Sequence, residues 1–256
     1  RLEKGLLMRP RQGVFGLDYI HETLAAYESA VRQRSTFDVD ELQWATSVLD
    51  QYFSVVEDHP RLIVCREKFA ALTQNLNGSK LAVPQVPYPH RHLDDPKLGY
   101  EKLFQLAAHR KSVRWFLPRE VPASIIEQAA VLAATAPSAC NRQPFLFRVF
   151  GDPSSAAKIA SIAMGTTGYA QNISALVVVL GDFSSLEHSR DRHLPYIDGS
   201  LAAMQFMLAI ESLGLASCPI NWPDIEKLER KMDRALALPA HLRPIMLIAV
   251  GYADPD

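Results

Sequence analysis

The apolar run over residues 201–210 constrains the fold more than any other stretch of this sequence. Asp198 and Gly199 are expected to open a helix there, and apolar side chains go almost all the way round its axis. They are Leu201, Met204, Phe206, Met207, Leu208 and Ile210. Gln205 interrupts the run, which is also shorter than the roughly 20 residues that span a bilayer, so no membrane helix is predicted. Such a helix must instead be covered by protein on every side.

Composition and charge are those of an ordinary globular protein. With 256 residues, 48% hydrophobic and 21% charged, the chain can hold one large domain or one domain with an appendage. Its 27 basic and 28 acidic residues give a formal net charge of −1, so neither nucleic acid nor a membrane is expected as a partner. Any anion-binding site must therefore be local. Because the sequence opens at Arg1 without a methionine and stops at Asp256, both ends are expected to be trimmed.

The cysteines and histidines give no strong chemical signature. The three cysteines, Cys65, Cys140 and Cys218, lie far apart, so neither a disulfide framework nor a zinc site is predicted. A reducing, cytoplasmic setting is the default, and no signal-peptide pattern is visible. Cys65 falls on an apolar helical stripe, which favours burial, and Cys140 as a nucleophile would need a histidine and an orienting group close by. His90–His92 could ligate a metal, but without a further ligand at helical spacing none is expected.

Two regions separated by prolines are predicted. Residues 1–80 read as helical because apolar residues recur every three or four positions in three runs. These runs are Ile20, Leu24, Tyr27 and Val31; Trp44, Val48, Tyr52 and Val55; and Leu62, Cys65, Phe69, Leu72 and Leu76. Pro84, Pro87, Pro89 and Pro96 then predict an extended linker over 81–96. A second domain is expected over 97–256.

A basic cluster opens the candidate site. A helix is predicted from Lys97, and its inward-facing residues would be Leu98, Leu103, Leu106 and Ala107. It leads into the cluster formed by Arg110, Lys111, Ser112 and Arg114. Lysine and arginine often complement the dipole and bond the last carbonyls at a helix C-terminus. That explanation leaves the serine and the further arginine unexplained.

A polar turn follows a second predicted helix, over 120–135. Pro137 cannot continue that helix, so residues 137–144 are expected to form a turn whose polar groups need partners. A loop that bonds only to itself is the alternative. Strands are predicted at 145–150, 175–180 and 244–252.

The cluster and the turn together resemble the FMN-dependent nitroreductase family. The cluster reads R-x-S-x-R-x-F at Arg110, Ser112, Arg114 and Phe116. The turn reads P-S-x-x-N-x-Q-P at Pro137, Ser138, Asn141, Gln143 and Pro144. The resemblance covers residues 97–256 and implies an α+β, three-layer fold, with a central, mostly antiparallel sheet flanked by helices, besides the N-terminal helical region. In that family the helix over 201–210 lies at the core of an intertwined homodimer.

The resemblance also implies FMN at the subunit interface. Arg110 and Ser112 would serve the phosphate and ribityl end of FMN, and Arg114 the N1–O2 edge of its ring. The turn would reach the flavin of the other subunit through Pro137, Ser138, Asn141 and Gln143. Residues 216–222 resemble a loop that family members place beside the flavin ring, and donors towards O4 and N5 would come from Pro219, Ile220 and Asn221 within it. Family members usually carry a further basic residue for the phosphate near the C-terminus, which would lie beyond Asp256 unless the phosphate is held without it.

The implied activity is a ping-pong oxidoreductase. NADH or NADPH and a small acceptor, such as a nitroaromatic or a quinone, would take turns at the flavin. Because flavin carries the redox chemistry, no catalytic side chain is named. Two alternatives stay open. One is a family enzyme with another reaction, such as heterocycle oxidation, dehalogenation or flavin cleavage, and the other is a non-catalytic flavin-binding or adaptor protein.

Overall fold

The structure is a computed structural model that describes residues 1–74 and 85–256. It divides into two compact units, Arg1–Pro96 and Lys97–Asp256. Independent domains joined by a linker over 81–96 stay a prediction, and residues 81–84 of that linker lie outside the described residues. None of the helices in the described ranges is both long and apolar enough to cross a bilayer.

The N-terminal unit is helical, as predicted. Its helices are α1 (Leu2–Leu7), α2 (Ile20–Arg32), α3 (Val39–Val55) and α4 (Pro60–Gln74). The predicted apolar stripes meet in one core, except that Val55 is not part of it and Leu76 lies outside the described residues. Cys65 is buried in this core, as predicted, and burial raises the pKa of its thiol. The Tyr52 hydroxyl donates to the Phe15 carbonyl oxygen at 2.6 Å, and burial raises the pKa of Tyr52 to about 12.

The C-terminal unit is a four-stranded antiparallel sheet between helices. The strands are β1 (Phe145–Phe150), β2 (Ala175–Asp182), β3 (Ala216–Asn221) and β4 (Leu242–Gly251), in the order β1-β2-β4-β3. The helices are α5 (Tyr100–His109), α6 (Ala123–Ala133), α7 (Pro153–Ala160), α8 (Leu194–Ser212) and α9 (Glu226–Leu236). Alternate side chains of β2 enter one core with α7 and α9 and another with α6 and α8. The predicted α+β, three-layer fold is confirmed.

Helix α8 packs against the sheet and begins earlier than predicted. It starts at Leu194 rather than at Asp198, because Pro195 occupies the first turn, where proline is tolerated. Gly199 lets the helix approach β4, since a Cβ there would collide with Ile245. The helix ends before Gly214, which has a φ of +80°. One apolar stripe of α8 remains exposed in the single chain, at Ile197, Leu201 and Met204.

Two further predictions for this unit were wrong. Residues Leu98 and Leu103, predicted to face inward, are 55% and 47% exposed, because the periodicity identifies an apolar face but not what covers it. Residues 216–222, predicted as a loop, contain strand β3, which pairs with β4 over its whole length. Pro219 is tolerated there because β3 is an edge strand, so its missing N–H breaks no internal ladder.

We expect Gly251→Ala to destabilise the C-terminal unit by about 1–3 kcal/mol. A Cβ at position 251 would lie 2.7 Å from Cδ1 and 3.0 Å from Cβ of the buried Phe116, so the base of that side chain must move. Gly151→Ala is the matched control, since nothing lies within 4 Å of its added Cβ. Urea denaturation measures both variants. Equal free energies of unfolding for the two would contradict the tight packing at Gly251.

Candidate functional site

The basic cluster lies along the outer edge of β3. Ser112 forms a parallel bridge with Ser217, and the backbone N–H of Val113 donates to the Ser217 carbonyl oxygen at 3.1 Å. The N–H of Leu117 then donates to the Tyr252 carbonyl oxygen at 2.9 Å, beyond the end of β4. The segment after α5 is thereby fixed next to the sheet.

Phe116 anchors this segment in the core. Its side chain is 2% exposed, and the Asn172 side chain bonds its backbone on both sides. The Asn172 carbonyl oxygen Oδ1 accepts from the Phe116 N–H at 2.6 Å, and Nδ2 donates to the Phe116 carbonyl oxygen at 3.2 Å. Sequence reasoning missed Asn172, because a single asparagine outside a motif carries no periodic signal. The bonds hold the cluster without using any of its own side chains.

Arg110 is the cluster residue with an unsatisfied buried group. It is half-buried, and its Nη1 is buried without a hydrogen-bond partner. The hydroxyl of Ser217, which is fully buried, also lacks a partner. Buried donors are nearly always paired, so a cationic donor without an acceptor indicates a place for an anion. Sequence reasoning predicted Arg110 but missed Ser217.

A buried carboxylate lies at the end of α8, in contact with the cluster's flank. The Glu211 side chain is 8% exposed, and its Oε1 accepts from His109 Nδ1 at 2.6 Å. Its other oxygen is buried without a partner. Lys111 donates to the Ala108 carbonyl oxygen at 2.6 Å, as expected for a helix-capping lysine. Helix capping therefore accounts for Lys111 and leaves Arg110 available.

Arg114 lies on the exposed side of the segment, near Tyr169. Its Nη1 is 3.5 Å from the Ser112 carbonyl oxygen, which is a long contact. Tyr169 is buried. Its phenol pKa is raised mainly by burial and also by the neighbouring Cys218, while Arg114 opposes that rise. Arg114 is exposed, so its guanidinium could meet a ligand from solvent while it stays beside Tyr169.

The predicted residues of β3 differ in what they can offer. Pro219 is half-buried, and the Ile220 side chain is packed in the core, so only the Ile220 backbone could contact a ligand. Asn221 is exposed at the end of the strand. Since β3 also carries Ser217, these residues lie on the same strand that holds the basic cluster.

The polar turn is closed by its own side chains and by α6. The Ser138 hydroxyl oxygen accepts from the Gln143 backbone N–H at 3.0 Å, and the Gln143 amide donates to the Ala134 carbonyl oxygen at 2.8 Å. Cys140, Asn141 and Gln143 have φ values of +57°, +53° and +48°. Each such non-glycine residue costs on the order of 1 kcal/mol, a strain often found at functional sites. Pro137, Cys140 and Asn141 are exposed.

Two acidic residues tie the turn to α8 and the loop before it. The Asp198 carboxylate, 3% exposed, accepts from the Ala139 backbone N–H at 3.0 Å. Arg142 lies 3.9 Å from Asp191 in an ion pair. Sequence reasoning missed this role of Asp198, because it placed the residue at the start of the helix rather than inside it.

The structure brings together two of the three predicted groups. Arg110 and Ser112 lie beside β3, which carries Pro219, Ile220 and Asn221. Across residues 1–74 and 85–256, no hydrogen bond or ion pair joins the turn to the cluster. Those same ranges contain no group of three or more His, Cys, Asp or Glu that could hold a metal ion. Completion of the site by a second subunit stays a prediction.

Comparison with known proteins agrees with this geometry. The sequence profile of the nitroreductase family matches residues 107–172 and 169–252. An iodotyrosine deiodinase from Haliscomenobacter hydrossis is 28% identical over 177 residues, which cover 58% of this chain and 78% of the relative. A protein from Methanothermobacter thermautotrophicus, provisionally named NADH dehydrogenase/NAD(P)H nitroreductase, is 27% identical over 161 residues. These cover 62% of this chain and 81% of the relative.

Solved structures show the same fold. The FMN-dependent nitroreductase of Clostridium difficile R20291 superposes with a TM-score of 0.54 at 21% identity, over 60% of this chain and 88% of that one. Because the family profile covers more than half of its residues, the chain belongs to the nitroreductase family of oxidoreductases.

Proposed function

We propose that the protein is an FMN-dependent oxidoreductase that uses NADH or NADPH to reduce small acceptors such as nitroaromatics or quinones. Membership of the nitroreductase family supports this proposal. The observation that carries it is the buried Nη1 of Arg110, which has no hydrogen-bond partner and belongs to a residue two positions before the bridge between Ser112 and Ser217.

The unpartnered groups fit the phosphate of FMN. A phosphate dianion offers strong acceptors, and charge-assisted bonds from Arg110 and a hydroxyl bond from Ser217 would satisfy both buried donors. Glu211 opposes the phosphate charge, but its carboxylate already accepts from His109. The cations Arg110, Lys111 and Arg114 outnumber it in this segment. We therefore place the phosphate and ribityl end at Arg110, Ser112 and Ser217.

The remaining proposed ligands would orient the ring. When bound, FMN supplies the hydride and electron transfer between nicotinamide and acceptor, so no protein acid, base or nucleophile is assigned. The exposed guanidinium of Arg114 would favour negative charge at the N1–O2 edge. Asn221 and the backbone at Pro219 and Ile220 would bind near O4 and N5. Pro137, Ser138, Asn141 and Gln143 would contact the flavin of the other subunit.

The exposed stripe of α8 supports a homodimer. Ile197, Leu201 and Met204 are 53%, 44% and 40% exposed in the single chain, in the middle of a mainly buried helix. A second copy would cover this stripe and bring its turn to the flavin site. The cytoplasmic location expected from the cysteine pattern stays a prediction.

Reductive dehalogenation is the second candidate. It is supported by the similarity to relatives named iodotyrosine deiodinase, which include the human protein at 24% identity over 208 residues. The same flavin site would serve both reactions, so the acceptor decides between them. Release of iodide from iodotyrosine, with no turnover of nitroaromatics or quinones, would favour the dehalogenase.

Arg110→Ala is expected to raise the dissociation constant for FMN by about 100-fold, because it removes charge-assisted bonds to the phosphate. Fluorescence titration of the flavin-free chain measures it. Arg230→Ala is the control, since Arg230 pairs with Glu226 on the exposed face of α9. FMN binding by Arg110→Ala at wild-type affinity would rule out this placement of the phosphate.

Initial rates with NADH or NADPH and a quinone should give parallel double-reciprocal lines. Nicotinamide and acceptor would use one flavin face in turn, so neither needs the other to bind. Intersecting lines would contradict a shared face, and no oxidation of either nicotinamide by the FMN-loaded protein would exclude the proposed reductant.

Sedimentation at micromolar concentration should show a dimer, and Leu201→Glu should shift it to the monomer. A charge in the centre of an apolar interface is strongly disfavoured by its desolvation. Ile63→Glu is the control, because Ile63 is similarly exposed, at 40%, on α4 of the N-terminal unit. A monomeric wild-type protein would contradict the cross-subunit site.

A further inference from the structure

We propose that Asp198 is a positioning residue, which holds the turn over 137–144 in the conformation that contacts the flavin. This inference rests on the proposed function, because only that proposal assigns the turn to a flavin site. It concerns a residue inside α8 that would not itself touch FMN.

The position of Asp198 has no explanation within its own helix. Aspartate is common at a helix N-cap, but His193 is the N-cap of α8, and Asp198 lies in the helix beyond the first turn. It is 3% exposed, and burying a carboxylate is costly unless it is hydrogen-bonded. The Ala139 backbone N–H donates to Asp198 Oδ2 at 3.0 Å, and the two residues are 59 positions apart in the sequence. The carboxylate therefore serves the turn.

The turn needs such a hold because its backbone is strained. Cys140, Asn141 and Gln143 all have positive φ values, and Ala139 is the residue immediately before them. The bonds of Ser138 and Gln143 close the turn on itself and on α6. The pair of Arg142 with Asp191 is partly exposed and 3.9 Å long, so it is the weaker link to the rest of the fold. Beside the backbone bond from the Asp182 N–H to the Pro144 carbonyl oxygen, at 2.9 Å, Asp198 provides the buried side-chain link.

Loss of this bond should act on one half of the site. The proposed ligands of the turn all lie within four residues of Ala139, so a relaxed turn would move them: Pro137, Ser138, Asn141 and Gln143. Arg110, Ser112 and Ser217 are held by β3 and by Asn172, and no bond joins them to the turn in the described ranges. FMN would then bind more weakly, while the phosphate contacts remain.

Hydrogen exchange of the Ala139 amide in the full chain without flavin tests the hold directly. We expect Asp198→Ala to accelerate this exchange by at least about tenfold, because the amide loses a charge-assisted bond. Asp198→Asn keeps an acceptor oxygen and should retain most of the protection. Unchanged exchange in Asp198→Ala would overturn the proposal.

FMN titration of a double-mutant cycle tests the consequence for binding. Ala139→Pro removes the donor N–H without touching α8, and Ser138 already has the extended conformation, ψ 156°, that a following proline requires. Ala139→Pro and Asp198→Ala should each raise the dissociation constant about tenfold, and the double variant no further, because both remove one bond. A dissociation constant of the double variant that rises by the product of the two single effects would overturn the inference. Single variants that bind FMN like the wild type would also overturn it.

These measurements separate this inference from the proposed function. A wild-type protein that binds no FMN overturns the proposed function and, with it, the flavin-positioning role, whatever the exchange data show. A wild-type protein that binds FMN, with unchanged affinity in Asp198→Ala, overturns the positioning role alone. If Asp198→Ala does not fold, as judged by circular dichroism, Ala139→Pro decides, since it leaves the core of α8 intact.

Discussion

Burial of β2 and β4 on both faces is the constraint on which the C-terminal unit depends. Residues 175–180 of β2 are at most 2% exposed, so helices must cover the sheet on either side. That arrangement leaves the edges of the sheet for further pairing. The segment after α5 takes the β3 edge through Ser112 and Ser217, and this pairing places Arg110 beside the sheet. The site is therefore a consequence of how the core is closed.

The candidate site departs from the rules that the core obeys. Arg110 and Ser217 keep buried donors without acceptors, and the turn holds three non-glycine residues at positive φ. Each departure lowers the stability of the free protein. Among the described residues, three of the five non-glycine residues at positive φ lie in the turn, and three of the four buried side-chain atoms without a partner belong to Arg110, Ser217 and Glu211, which is bonded to His109. This concentration in two polar surfaces, the basic cluster and the turn, is typical of a site that a ligand completes. The phosphate of FMN would satisfy the donors of the first surface, and a second subunit would bring the other surface to it.

Periodicity and motifs predicted much of this from the sequence. Continuous apolar residues identified β2 and β4. The R-x-S-x-R and P-S-x-x-N-x-Q-P patterns predicted the basic cluster and the polar turn as the two parts of a flavin site. What they missed depends on tertiary contacts. Pro219 argued against a strand at β3, which is an edge strand. The periodicity of α5 shows an apolar face but not whether another element covers it, and that face is exposed. Asp198 resembled the start of a helix although it lies inside α8. Asn172 acts through two long-range bonds to the Phe116 backbone, and Ser217 has a buried hydroxyl without a partner. Neither feature leaves a local sequence pattern.

A crystal structure of the full chain with FMN is the most direct test of the flavin site. The phosphate is predicted within hydrogen-bond distance of Arg110 Nη1 and the Ser217 hydroxyl, and the turn of a second chain is predicted to complete the ring pocket. FMN bound with its phosphate away from Arg110, or crystals without FMN at saturating concentration, would contradict this assignment.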